Sequence, residues 1–313
     1  MEQDVIHVEP VPVVENPGSE FCQLAEVFIE AMDVGENSRK TYRRALKAYF
    51  VWVCQSGLGD RLDNLNRLDI LDYKAELGRT KRVSSANLYF FIVKMFYGWL
   101  EKNKVYQDIT RDIKGFKKTP GHAKDSLTAE QVCSILEGFD RSTPAGTRDY
   151  AIVNLMARTG LREIEVARVR VGDIREESGV SVLWVQGKGR SEADAFVVLL
   201  PAALEPIQAW LALAGLPNEE PLFPCCSPQN RGGHMTSRSI SRIAKEAMRR
   251  VGIDSDRITP HSLRHTAISL AIAGGASLTQ AQAMARHSSP NTTMVYFHNV
   301  NRVKDAAERC VNF

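Results

Sequence analysis

The chain has 313 residues, 44% of them hydrophobic and 25% charged, both close to globular averages, so two packed domains of ordinary size are feasible. No run of about 18 apolar residues offers a membrane-crossing helix, and the acidic, Pro/Val-rich N-terminus lacks the basic-then-apolar layout of a secretory signal, so a cytoplasmic protein with no membrane partner is expected. The net charge is +3, but residues 1–20 hold five acids and no Lys or Arg, so the remainder carries +8, compatible with a polyanionic partner.

Residues 1–19, with Pro10, Pro12 and Pro17, show no helical period and read as a flexible leader. Residues 20–104 read as about four helices, a compact helical domain. The first is FCQLAEVFIEAMD. The second carries Tyr42, Ala45, Leu46, Tyr49, Phe50 and Val53 at spacings of three and four and ends at Gly57 and Gly59. The third covers roughly 67–78, and the fourth opens at Ser84 or Ser85. Its aromatic run, Tyr89 to Trp99, is expected to be core. Residues 105–125 lose the period and read as a basic linker.

Residues 126–313 form the second predicted domain. Ser126 or Thr128, with Glu130 and Gln131, starts a helix. RDYAIVNLMAR is an apolar helix ending near Gly160, and another begins near Arg162. The period then changes to two: VSVLWVQ and DAFVVLL flank GKGRSEA, a β-hairpin with a Gly-Lys-Gly tip. Helices resume at 202–214, 236–250, 260–273, 277–285 and 301–311. The fold class is mainly α with a small antiparallel β-sheet, an α+β assignment. The six cysteines form no C-x-x-C pair and read as free thiols.

Five stretches carry the chemistry: TGLREIE at 159–165, the hairpin tip with Lys188, HSLRH at 261–265, RHSS at 286–289 and TTMVY at 292–296. A phosphodiester attacked by a hydroxyl gathers negative charge on its non-bridging oxygens. Arginine answers that charge with a planar, permanently protonated fork. His261 and Arg264 share one face of a predicted helix that begins at Pro260. A tyrosine nucleophile, Tyr296, must lose its proton as it attacks, and His261 or His287 is the candidate acceptor. The leaving oxygen needs an acid, for which Lys188 on the hairpin tip is the candidate and Arg190 its neighbour. No clustered Asp/Glu set suggests a metal, and no cofactor is expected.

Arg162, Lys188, His261, Arg264, His287 and Tyr296, in this order and spacing, resemble the catalytic set of the tyrosine recombinases and integrases, closest to the Xer-like, short two-domain members. The resemblance covers about residues 20–313. It implies an N-terminal core-binding domain of SAM-like type at 20–104, a catalytic domain with a C-terminal tail helix at 126–313, and strand cleavage through a 3′-phosphotyrosyl intermediate and a Holliday junction. By resemblance, Arg162 and Arg264 bind the scissile phosphate, His261 and His287 assist, Lys188 is the acid, and Glu165 shapes the site. Two departures stand out: Arg286 where the family usually has Gly, and Phe297-His298 after the nucleophile.

The implied partners are double-stranded DNA with a specific core site, a homotetramer on two such sites, and an accessory or excisionase protein. Integration or excision of a mobile element is the leading role. Chromosome or plasmid dimer resolution is the alternative within the family, with a relaxing topoisomerase and a non-catalytic DNA-binding regulator outside it. Candidate DNA contacts are Arg39, Lys40, Tyr42, Arg43 and Lys47 in a stretch with five cations and no acid, then Lys81, Arg82, Ser84 and Asn87, then Arg231, Thr236, Arg238 and Arg242.

Overall fold

A computed structural model describes residues 17–59, 65–117, 125–187, 190, 192–304, 306 and 310–311. The chain divides into two compact units, Met1–Pro120 and Gly121–Phe313.

In the first unit, α1 (Pro17–Glu30), α2 (Glu36–Gln55), α3 (Arg67–Thr80) and α4 (Val83–Lys102) enclose an aromatic core. Phe28, Tyr49, Phe96 and Tyr97 are fully buried. Burying two tyrosines requires partners for their hydroxyls, and the Tyr49 and Tyr97 hydroxyls meet each other at 2.8 Å. α1 starts at Pro17, inside the stretch read as leader. α3 is started by a capping box: the Asn66 side chain accepts from the Leu68 amide at 2.8 Å, and Asp69 accepts from the Asn66 amide at 2.9 Å. α4 begins at Val83 with Arg82 at its cap and no side-chain capping bond, so neither Ser84 nor Ser85 opens it. Part of the stretch read as linker packs on this unit. Ile109 and Ile113 are buried in its core, and Lys94 donates to the Ile113 carbonyl at 2.7 Å.

The second unit is built around α6 (Pro144–Thr159), in which Ala151, Ile152, Val153, Leu155 and Met156 are all fully buried. Such a helix is apolar almost all round because neighbours cover every side. α5 (Ala129–Glu137), α8 (Pro201–Ala214), α9 (Ser237–Arg250) and α10 (Pro260–Ala273) pack against it. Thr128 caps α5 in a reciprocal pair with Gln131. α7 (Glu163–Arg168) leads to an antiparallel meander of β1 (Ile174–Glu177), β2 (Val180–Val185) and β3 (Ala195–Val198). Only β2 and β3 were legible as strands. β1, with the sequence IREE, pairs with β2 through Glu177↔Val180 because Ser178 and Gly179 both take positive φ, the geometry of a tight hairpin turn.

α11 (Leu278–Ala285) and α12 (Pro290–Lys304) complete the unit. The expected helix at 301–311 is therefore corrected: the helix starts at Pro290, and residues 306, 310 and 311 lie outside it. Pro290 has no N–H to lose at a helix start, and Thr293 and Tyr296, three apart, give α12 its buried face.

Candidate active site

Three helix ends and one helix face converge on a single cavity of about 1020 Å³ in the second unit. α6 stops at Gly160, which takes a left-handed φ of 63° and turns the chain so that Arg162 sits at the start of α7. α10 starts at Pro260 and presents His261, Arg264 and His265 on successive positions of one face. α11 ends at Arg286, and His287 follows. α12 supplies Tyr296. Arg162, His261, Arg264, His287 and Tyr296 all line this cavity. Lys188 lies outside the described residues. Its neighbour Arg190 lines the cavity and pairs with Asp194 at 3.2 Å.

Arg264 is 2% exposed, and its guanidinium is braced by two backbone carbonyls: Nη1 donates to Gly160 at 2.6 Å and Nη2 to Ala285. These bonds tie α10 to the ends of α6 and α11. Burial, then the neighbouring Arg162 and Arg286, lower its pKa to about 10, still charged at neutral pH. Arg162 is more open and donates from Nη1 to Glu165 at 2.7 Å. Glu165 is fully buried. Burial pushes its pKa up, but Arg286 and Arg162 outweigh that and hold the carboxyl below its ordinary range.

Both expected histidines are held neutral. Burial lowers the pKa of His261, opposed by Glu163 and reinforced by Arg264 and Arg162. Burial and the same arginines lower that of His287 to about 4. The Nδ1 of His287 is engaged with the Thr293 hydroxyl at 2.8 Å. Tyr296 is 5% exposed, and burial raises its pKa against the pull of Arg264 and Arg162.

The hydroxyl of Tyr296 lies 2.5 Å from Nδ1 of His265, a residue that sequence reasoning left without a role. The His265 ring stands edge-on to His261 at 4.8 Å and stacks on Tyr296 at 5.3 Å. The signal was present in HSLRH: the second histidine is one turn beyond the first, on the same face.

The candidate DNA contacts divide. In the first unit, Lys81 and Arg82 share a cleft of about 430 Å³ with Thr41 and Arg44. Lys40, Lys47 and Ser84 are exposed. Arg43 is paired with Glu26 at 2.8 Å, and Arg39 reaches back to the Met32 carbonyl. Two of the candidates also have contacts within the unit. Asn87 uses both ends of its amide on the Phe116 backbone, at 2.8 and 3.0 Å, and so anchors the segment after α4. Tyr42 stacks on Phe28 and packs against the core. In the second unit, Arg231, Arg238 and Arg242 are exposed, and Thr236 caps α9 by accepting from the Ser239 amide at 3.1 Å.

Among the described residues, no helix is long and apolar enough to cross a membrane. The pattern of the phage integrase family matches residues 125–302. The tyrosine recombinase XerD of Ralstonia nicotianae is 30% identical over 271 residues, covering 85% of this chain and 84% of its own. The XerH site-specific recombinase in a post-cleavage complex with palindromic difH substrate has the same fold, with a TM-score of 0.74 at 20% identity over 92% of this chain and 84% of that one. A lambda integrase tetramer bound to a Holliday junction aligns with a TM-score of 0.68 at 17% identity over 89% and 76%. With the family pattern spanning more than half of its length and a relative of this identity spanning most of both chains, the protein is a member of the phage integrase family, a tyrosine recombinase.

Proposed function

We propose that the protein is a site-specific DNA recombinase that cleaves and rejoins strands through a 3′-phosphotyrosyl bond to Tyr296, by way of a Holliday junction, in the integration or excision of a mobile element. The observation that carries this reading is one cavity holding the Tyr296 hydroxyl together with the Arg162 and Arg264 guanidiniums. Arg162 and Arg264 bind the non-bridging oxygens of the scissile phosphate and answer the charge that grows there. The Tyr296 oxygen forms the new P–O bond as its proton passes to an imidazole, for which His265 is the residue in hydrogen-bond contact. The P–O5′ bond breaks, and the departing oxygen takes a proton from Lys188. His261 and His287, uncharged at neutral pH, donate to phosphate oxygens. Rejoining is the reverse with a 5′-hydroxyl from the partner strand, so no external energy source is required.

The DNA partner is a duplex core site, gripped in part by Lys81 and Arg82, and the working assembly is a homotetramer on two sites in the cytoplasm. The XerD relative supports a second reading, dimer resolution, which uses the same chemistry.

The test is capture of a covalent adduct. The full chain is incubated with a random-sequence pool of nicked duplexes, and protein-linked DNA is recovered under denaturing conditions. Wild type is expected to yield adducts enriched in one sequence, and Tyr296→Phe none. A wild type that binds duplex yet yields no adduct would make the protein a non-catalytic regulator.

A further inference from the structure

Arg286 closes α11 in the left-handed region, with φ of 53° and ψ of 45°, a conformation that side chains other than glycine rarely adopt. Its side chain is 8% exposed and folds back into the site. Nη1 donates to the Met284 carbonyl at 2.5 Å and Nη2 to Oε2 of Glu165 at 2.7 Å. Its Nε is buried without a hydrogen-bond partner. Positive φ on a bulky residue and an orphaned buried N–H are both unfavourable, and such features gather where function holds them in place.

Glu165 is the reason to hold it. That carboxylate is fully buried, and Arg162 approaches it with Nη1 on Oε1 and with its backbone amide on Oε2. With Arg162 as its only guanidinium partner, a buried carboxylate would cancel one of the two charges that Arg162 and Arg264 bring to the phosphate. Arg286 supplies a second. Three guanidiniums (Arg162, Arg264 and Arg286) then stand against one carboxylate, leaving two net positive charges. A phosphodiester carries one negative charge, and the transition state gathers more on the same oxygens.

We propose that Arg286 is a positioning residue: it holds Glu165 as a charged carboxylate by taking Oε2, so that Arg162 is oriented by Oε1 while the rest of its fork serves the scissile phosphate. The proposal rests on the recombinase reading and deepens it. Of the charged groups around Glu165, Arg162 comes from the start of α7, Arg264 from α10 and Arg286 from the end of α11, while Arg190 and Asp194, beside the sheet, line the same cavity as a pair. Without Arg286, Glu165 keeps burial and loses its strongest opposing charge, so its carboxyl titrates at a higher pH. On protonation it releases Arg162.

The experiment compares single-turnover adduct formation by wild type, Arg286→Gly and Arg286→Lys on the duplex recovered by capture, across pH 5 to 8. Glycine suits the left-handed backbone, so Arg286→Gly is expected to fold. It is expected to slow cleavage about tenfold at neutral pH and to move the acid limb of the profile up by about one pH unit. Arg286→Lys is expected to restore the wild-type limb and most of the rate. In a Glu165→Gln background, Arg286→Gly is expected to leave the position of the acid limb unchanged. An Arg286→Gly protein with wild-type rate and profile would overturn the proposal and leave the recombinase reading intact. A slowed protein whose profile keeps its shape, unrelieved by lysine, would also overturn it, since lost packing alone behaves that way. If wild type forms no adduct, both readings fall together.

Discussion

On the proposed mechanism a buried phenol hands its proton to a neighbour as it attacks phosphorus. The proton has a short path at Tyr296, because Nδ1 of His265 is 2.5 Å away. His287 stacks at 6.1 Å and already engages Thr293 with its own Nδ1, so it is the poorer acceptor. His265→Ala is expected to slow adduct formation by about 10²-fold, the usual worth of a positioned base. Duplex affinity should change little, because phosphate contacts on other residues carry it. Quenched single-turnover kinetics beside an equilibrium binding curve would check both. An unchanged cleavage rate would pass the proton to His261 instead.

The helix termini do the positioning. Gly160 ends α6 with φ of 63°, and its carbonyl accepts from Arg264, so one turn both stops a helix and braces the buried Arg264 guanidinium. A Cβ there would meet only ordinary contact with the Ala267 side chain at 3.5 Å, so the obstacle to a larger residue is backbone conformation. Gly160→Ala is expected to cost about 1 kcal/mol, read as a lower midpoint in denaturant unfolding. A neutral result would mean that the turn relaxes to another shape, and the Arg264 contact would then be lost with it. α12 shows the same principle. Its start at Pro290 carries Thr293 to His287 and Tyr296 to His265, so a single short helix sets two histidine contacts.

Burial of histidines, reinforced by neighbouring arginines, makes stability sensitive to acid. His287 titrates at about 4 in the folded protein, below its ordinary value, and His261 is shifted in the same direction. The unfolded chain therefore takes up these protons first as pH falls. Stability from this source is complete above pH of about 6.5 and declines until about pH 4, where His287 itself is protonated and the loss stops growing. Thermal melts at steps of pH should show a steeper decline in that window for wild type than for His287→Gln. Parallel curves for the two proteins would show that His287 does not carry the linkage.

The residue types and their order in the chain announced the family, because phosphoryl transfer to a tyrosine draws on arginines, histidines and a phenol whatever surrounds them. Strong apolar periods likewise announced most helices, and alternation announced β2 and β3. Four things had no local signal. β1 is short and charged and exists because β2 offers it an edge. Asn87 looks like a polar surface residue until Phe116 returns to meet it, twenty-nine positions later. The pairing of His265 with Tyr296, and of Arg286 with Glu165 across 121 positions, was decided by how α7, α10, α11 and α12 pack. Sequence specifies which groups are available. Only packing decides which of them come within 3 Å of one another, and hydrogen bonds and ion pairs of this kind require that distance.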